Sequence, residues 1–115
     1  RKTAIVCGKS MLPTLKENEI VFFKKYIKNK SLLKVGQIVI FQHPFKNIRL
    51  IKRINHVSKN SIEVFGDNIE YSDDSSKFGL INNEKVIGIV TSKIFSLKLK
   101  NLLSQQKSST FLDPK

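Results

Sequence analysis

A mainly β domain, arranged as a partly closed antiparallel barrel, is the fold class this sequence predicts. Short runs rich in β-branched and aromatic residues recur along the chain, as in Ile20-Val21-Phe22-Phe23 and Ile38-Val39-Ile40-Phe41. Turn signals separate them: Gly8, Lys16-Glu17-Asn18, Val35-Gly36 and Pro44. Helical spacing is confined to Leu97, Leu99, Leu102 and Leu103, near the end of the chain.

Taken in order, the first strand spans residues 3–7 and stops at Gly8. The second spans 19–25, entered through the polar Lys16-Glu17-Asn18 turn. A looser basic stretch over 26–34 leads to Val35-Gly36, and a strongly β-branched strand over 37–43 is stopped by Pro44. Strands over 48–57 and 61–65 follow, then a turn-rich segment over 66–79 and a last strand over 86–94. The division that results is a catalytic-sized domain over 1–95 and a polar C-terminal tail over 96–115, partly helical or disordered.

Composition narrows the function classes. At 115 residues the chain makes one domain with one core's worth of apolar side chains, 40% of the total. The net charge of +12 invites a nucleic-acid partner, but the basic residues are mostly scattered lysines. Only Arg1, Arg49 and Arg53 offer the fork that reads bases or clamps phosphates. The chain is also rich in Ile and Asn, a codon bias that would explain the lysines without a partner, so no nucleic acid is expected and a basic nucleic-acid-binding β domain is kept as the lesser alternative. No apolar run approaches the ~18–20 residues that span a bilayer, so no stable membrane anchor is expected and the default location is cytoplasmic. The single cysteine, Cys7, excludes an internal disulfide and a multi-cysteine zinc site. Neither metal nor cofactor is expected.

Two segments carry candidate chemistry. In Gly8-Lys9-Ser10-Met11-Leu12-Pro13-Thr14-Leu15 a hydroxyl follows a strand and a glycine, with a proline three positions on. Gly8 permits close backbone approach by a second chain and Pro13 fixes the exit path. Such a loop presents a hydroxyl beside backbone N–H groups aimed at an incoming carbonyl, although an ordinary strand-to-turn connection has the same composition. In Ile48-Arg49-Leu50-Ile51-Lys52-Arg53-Ile54, alternation places Lys52 on a face with Ile48, Leu50 and Ile54. Burial there disfavours the ammonium form and would yield a general base; a lysine whose stem covers apolar surface while its head reaches water fits the same pattern. A serine hydroxyl needs a base, and a lysine is one recognised solution. Of the alternatives, His43 before Pro44 reads as an exposed turn position, His56 lacks an orienting carboxylate, and alternation makes Cys7 a buried small hydrophobe.

The two segments also resemble one family together. The first is similar to the G-x-S-M-x-P-T-L nucleophile motif of type I signal peptidases, and Ile51-Lys52-Arg53-Ile54 resembles their base segment. Val35-Gly36-Gln37-Ile38-Val39 is similar to the intervening G-D-I-V strand, with Gln37 in place of the acid. Gly66-Asp67-Asn68, Ser72, Asp74-Ser75 and Phe78-Gly79 resemble the G-D-N…S-x-D-S-R…G box, with Ser76 where the arginine stands and Lys77 one position later. Order and rough spacing agree from Ala4 to Val90.

The resemblance implies a signal-peptidase/LexA-like β domain and a Ser/Lys endopeptidase. Ser10 would be the nucleophile and Lys52 the general base. The Ser10 N–H and the loop at Gly8 would hold the oxyanion, and Ser72 would orient the Lys52 amine. Gly66, Asp67, Asn68 and Asp74 would shape the supporting turn, and Met11 and Pro13 would border the bound peptide. Only residues 53–65 separate Lys52 from Gly66, a spacing similar to the small anchorless nickel-type superoxide dismutase maturation proteases, as is the turn His43-Pro44-Phe45. That likeness implies removal of an extended N-terminal leader from a nickel superoxide dismutase precursor. The nearest alternative is the catalytic domain of a secretory signal peptidase without its anchor. A LexA-type self-cleaving regulator fits poorly, because the only alanine, Ala4, is followed by Ile5 rather than glycine.

Overall fold

The computed structural model describes residues 2–68 and 80–94. Seven strands, β1 (Lys2–Ile5), β2 (Ile20–Lys25), β3 (Ile38–Gln42), β4 (Arg49–Val57), β5 (Ser61–Phe65), β6 (Ile81–Asn82) and β7 (Val86–Ile94), form one sheet. Every neighbouring pair is antiparallel, in the order β1-β2-β7-β3-β4-β5-β6, and the sheet curls into a half-barrel. The last strand is therefore not an edge: β7 inserts between β2 and β3 and ties the two hairpin systems together.

The sheet has an apolar layer on each side, which explains why β3 is continuously hydrophobic instead of alternating. Val39 and Phe41 point into one cluster with Leu33, Ile54, Ile62, Val64, Ile81, Val86 and Ile89. Ile40, between them, points into the other, with Val6, Met11, Leu15, Val21 and Phe23. Where β7 crosses β2, Gly88 lies opposite Lys25. A Cβ there would meet the Phe23 ring at 2.2 and 2.9 Å and the Lys24 carbonyl at 3.0 Å. Only glycine allows that approach.

The strands over 61–65 and 86–94 coincide with those expected from the sequence, β2 and β4 differ by a residue at one end, and β3 by a residue at each end. β1 is the larger departure. It ends at Ile5, and Val6, which accepts from the Asn18 N–H and donates to the Glu19 carbonyl, turns inward instead. Cys7 is therefore exposed, not the buried small hydrophobe expected from alternation. His43 departs the other way: it is 6% exposed rather than an open turn residue. Its Nδ1 accepts from the N–H groups of Phe45 (3.0 Å) and Lys46 (3.1 Å), so the ring folds back to satisfy the turn it precedes. Strand β6 and the 3-10 turn Asn83–Lys85 had no expectation; a two-residue strand leaves no periodicity to read, and the Asn82 side chain caps the turn by accepting from the Glu84 N–H. The tail over 96–115, with its expected boundary, lies outside the described residues.

Candidate active site

The Ser10 loop starts from a backbone requirement. Gly8 has φ +80°, a region in which an L side chain is strained, whereas a Cβ at that position would meet nothing within 4 Å. The positive φ is by itself a reason for glycine at this position. Its N–H donates to the Glu17 carboxylate at 3.4 Å. Beyond it the chain winds through Leu12 N–H to Lys9 O (3.2 Å) and Leu15 N–H to Met11 O (2.9 Å), and the Leu12–Pro13 peptide is cis. Met11 is 1% exposed and packs into the core with Leu15, so it anchors the loop, while Pro13 stays at the surface.

A second segment clamps this loop from outside. The Asn68 N–H donates to the Ser10 carbonyl at 2.8 Å, and its side-chain amide donates to the Lys9 carbonyl at 3.0 Å. Asp67, one residue earlier, accepts from the Thr14 hydroxyl and takes both Arg53 Nε (2.9 Å) and Nη2 (2.8 Å) in a bidentate pair. The remaining Arg53 nitrogen donates to the Gly36 carbonyl at 2.8 Å. From the other side Lys93 of β7 donates to the Thr14 carbonyl at 2.8 Å. The loop is thus fixed at both ends of its turn, and Gly66, which precedes Asp67, is buried. The Arg53 hydrogen bonds hold the Asp67 carboxyl below its ordinary value of 3.8, against the opposing effect of burial, and the Thr14 hydroxyl adds to the lowering. The same hydrogen bonds raise Arg53.

Lys52 lies on β4 opposite Val39 of β3 and is 2% exposed, so its head does not reach water. Alternation puts it on the same face as Ile54, and Ile51 and Arg53 on the face of the Ser10 loop. What joins Ser10 to this strand is a cavity of about 350 Å³, walled by Ala4 and Ile5 beside β4 residues Leu50 and Ile51, and floored by Val21, Phe23 and Ile40. Ser10, Cys7 and Arg49 complete it. Strand β5 pairs with β4 only from Arg53 onward, and β1 pairs only with β2 among the described residues. The cavity therefore lies between two strand edges. Ser72 and Asp74 lie outside the described residues.

Arg53 and Thr14 were missed as site residues by the sequence reading. Each stood in plain view beside a candidate, Arg53 after Lys52 and Thr14 after Pro13, but nothing local says that both reach Asp67, 14 and 53 positions away along the chain. No group of three or more His, Cys, Asp or Glu side chains converges on a metal-sized site among the described residues, and none of their helices is long and apolar enough to cross a membrane.

With this geometry, the comparison with known proteins falls on the same residues. Residues 2–55 match the family described as Signal peptidase, peptidase S26. That stretch contains both Ser10 and Lys52 and stops before Gly66. Among curated proteins, the chain is 33% identical over 86 residues to the signal peptidase I of Buchnera aphidicola subsp. Schizaphis graminum, covering 64% of this chain and 25% of that protein. It is 35% identical over 65 residues to a protein named signal peptidase I P of Bacillus subtilis subsp. natto, covering 56% of this chain and 35% of that one. A second protein of that name is 29% identical over 89 residues, covering 74% of this chain and 48% of its own length. The chain thus spans between a quarter and a half of these relatives.

Proposed function

We propose that the chain is an endopeptidase that removes an N-terminal leader from a precursor protein, with Ser10 as nucleophile and Lys52 as general base. The observation that carries this reading is the apolar cavity that holds Ser10 between two strand edges with no partner strand among the described residues. An extended peptide entering there gains main-chain hydrogen bonds from β1 and from residues 49–52 of β4, while its side chains alternate into and out of the cavity. The family match over residues 2–55 supports the same assignment.

In the reaction, Ser10 Oγ attacks the scissile carbonyl carbon as its proton passes to the Lys52 amine. The carbonyl oxygen becomes an oxyanion facing the Ser10 N–H, and Lys52 returns the proton to the leaving amine. The reaction requires Lys52 as the neutral amine, and its burial, at 2% exposure, disfavours the ammonium form. The flexible four-carbon stem gives the amine reach toward Ser10 Oγ.

Two precursor classes fit. The short spacing from Lys52 to Gly66 and the His43-Pro44-Phe45 turn favour a nickel superoxide dismutase precursor; the relatives named signal peptidase I favour a secretory one. The test is incubation of the enzyme with each precursor, reading cut sites by mass spectrometry, alongside Ser10→Ala and Lys52→Ala variants checked for folding by circular dichroism. Both variants should be folded and lose at least about a thousandfold in rate. A Lys52→Ala enzyme with near-normal turnover would remove lysine from the mechanism.

A further inference from the structure

The Ser10 cavity is lined mostly by apolar side chains, and among the described residues one cation, Arg49, stands in its wall. Arg49 opens β4, lies opposite Gln42 of β3 and is exposed, and it makes no ion pair among the described residues. Arg53, four positions on, has a quite different setting, since Asp67 takes its charge twice. Among the described residues that line it, no carboxylate balances that charge: Ala4, Ile5, Cys7, Val21, Leu50 and Ile51 carry none.

A guanidinium set at the mouth of an apolar groove has weakened hydration on its groove side and all its donors in a planar fork, the geometry that matches a carboxylate. Arg49 precedes Lys52 by three residues, roughly 10 Å along an extended strand. A peptide paired beside β4 would therefore bring a side chain about three residues from its scissile bond up against Arg49.

We propose that Arg49 is a specificity-determining residue that selects substrates carrying an aspartate or glutamate about three residues from the cut, next to apolar side chains that fill the cavity. The inference rests on the endopeptidase reading above, and its test separates the two. The chain's +12 charge would itself attract any acidic peptide, so the control must alter net charge equally elsewhere. Lys59, exposed in the turn between β4 and β5 and lining a different cleft, serves for that.

Peptides spanning the precursor cut site, with aspartate or lysine placed singly at each of the four positions on either side, are assayed for kcat/KM. In parallel their binding to the Ser10→Ala protein is read by fluorescence anisotropy. One position should favour aspartate over lysine by about tenfold, less at high salt. Arg49→Glu should invert the preference at that position in both cleavage and binding, and Lys59→Glu should leave it in place. Cleavage without any positional charge preference, or a preference that survives Arg49→Glu, overturns the role of Arg49 and leaves the protease standing. Charge-selective binding that Arg49→Glu inverts, without cleavage by the wild type, retains the site and overturns the chemistry. Absence of both binding and cleavage overturns both.

Discussion

Arg53 and Asp67 meet through two parallel hydrogen bonds of 2.9 and 2.8 Å, and each is the chain neighbour of a candidate site residue. Arg53 follows Lys52; Asp67 precedes Asn68, whose N–H holds the Ser10 carbonyl. The pair thus couples the strand that carries the proposed base to the loop that carries the proposed nucleophile, and the Thr14 hydroxyl fastens the loop's far end to the same carboxylate. Replacing Asp67 by asparagine removes the charge from a partly buried, bidentate bond and should destabilise the protein by about 1–3 kcal/mol. Arg53→Lys should cost nearly as much, because an ammonium cannot reproduce the fork. The double variant should lose clearly less than the sum of the two, read from urea unfolding midpoints. Additive losses would mean that the two residues act separately. Cleavage should fall by more than the stability change explains, since a small displacement of Ser10 relative to Lys52 is costly to the reaction.

The same carboxylate fixes an acid response. Because Asp67 is lowered in the folded protein, chiefly by the Arg53 hydrogen bonds, the folded state binds fewer protons there than the unfolded chain. Its stabilisation is therefore complete above the ordinary value of 3.8 and is lost as pH falls below it through the folded value. The melting temperatures of wild type and Asp67→Asn should differ most near neutrality and converge as pH falls below 3.8 through the lowered folded value. A difference that is constant from pH 7 to pH 2 would show that the aspartate charge contributes nothing.

Strand identity was legible because it depends on local pattern; the contacts that build the site were not, because they depend on register. The continuous run Ile38-Val39-Ile40-Phe41 announces a strand buried on both faces, and it is one, with Val39 and Phe41 in one core and Ile40 in the other. Ser10, Lys52 and Gly66-Asp67-Asn68 stood out as motifs. By contrast, His43 is buried because its ring turns back on the N–H groups of its own hairpin, and Cys7 is exposed because β1 ends two residues earlier than its alternation suggests. Neither outcome is read from alternation: the first depends on how the 43–46 turn closes, the second on the contacts of Val6 with Asn18 and Glu19. The Arg53–Asp67 pair exists only once β4 and β5 are aligned, with Arg53 opposite Phe65.

Gly88 links the sheet to the cavity. Any side chain there drives into the Phe23 ring, which floors the cavity, and against the Lys24 carbonyl, which cannot retreat without disturbing the β2–β7 ladder. Gly88→Ala should lower stability by about 1–3 kcal/mol, the usual cost of overpacking, and displace the ring toward the cavity. Thermal unfolding reads the first effect, and a raised KM for apolar leader peptides reads the second. An alanine variant with unchanged melting temperature would mean that β2 and β7 are spaced more loosely than the contacts indicate.

Cys7 offers an independent probe of where substrate lies. It is exposed, it is the only thiol in the chain, and it lines the cavity that contains Ser10, so a maleimide labels one defined place. A cavity of about 350 Å³ is near the lower end of the size range for ligand sites and leaves little room beside an aromatic maleimide. Labelling should therefore reduce kcat/KM by at least about tenfold. A methylthio adduct, which adds only one carbon and one sulfur, should reduce it far less. Cys7→Ser should keep near wild-type turnover and become insensitive to both reagents, since the thiol itself takes no part in the proposed proton transfer. Full activity of the quantitatively labelled enzyme would place the peptide outside this cavity, and with it the argument that the open edges of β1 and β4 receive the leader.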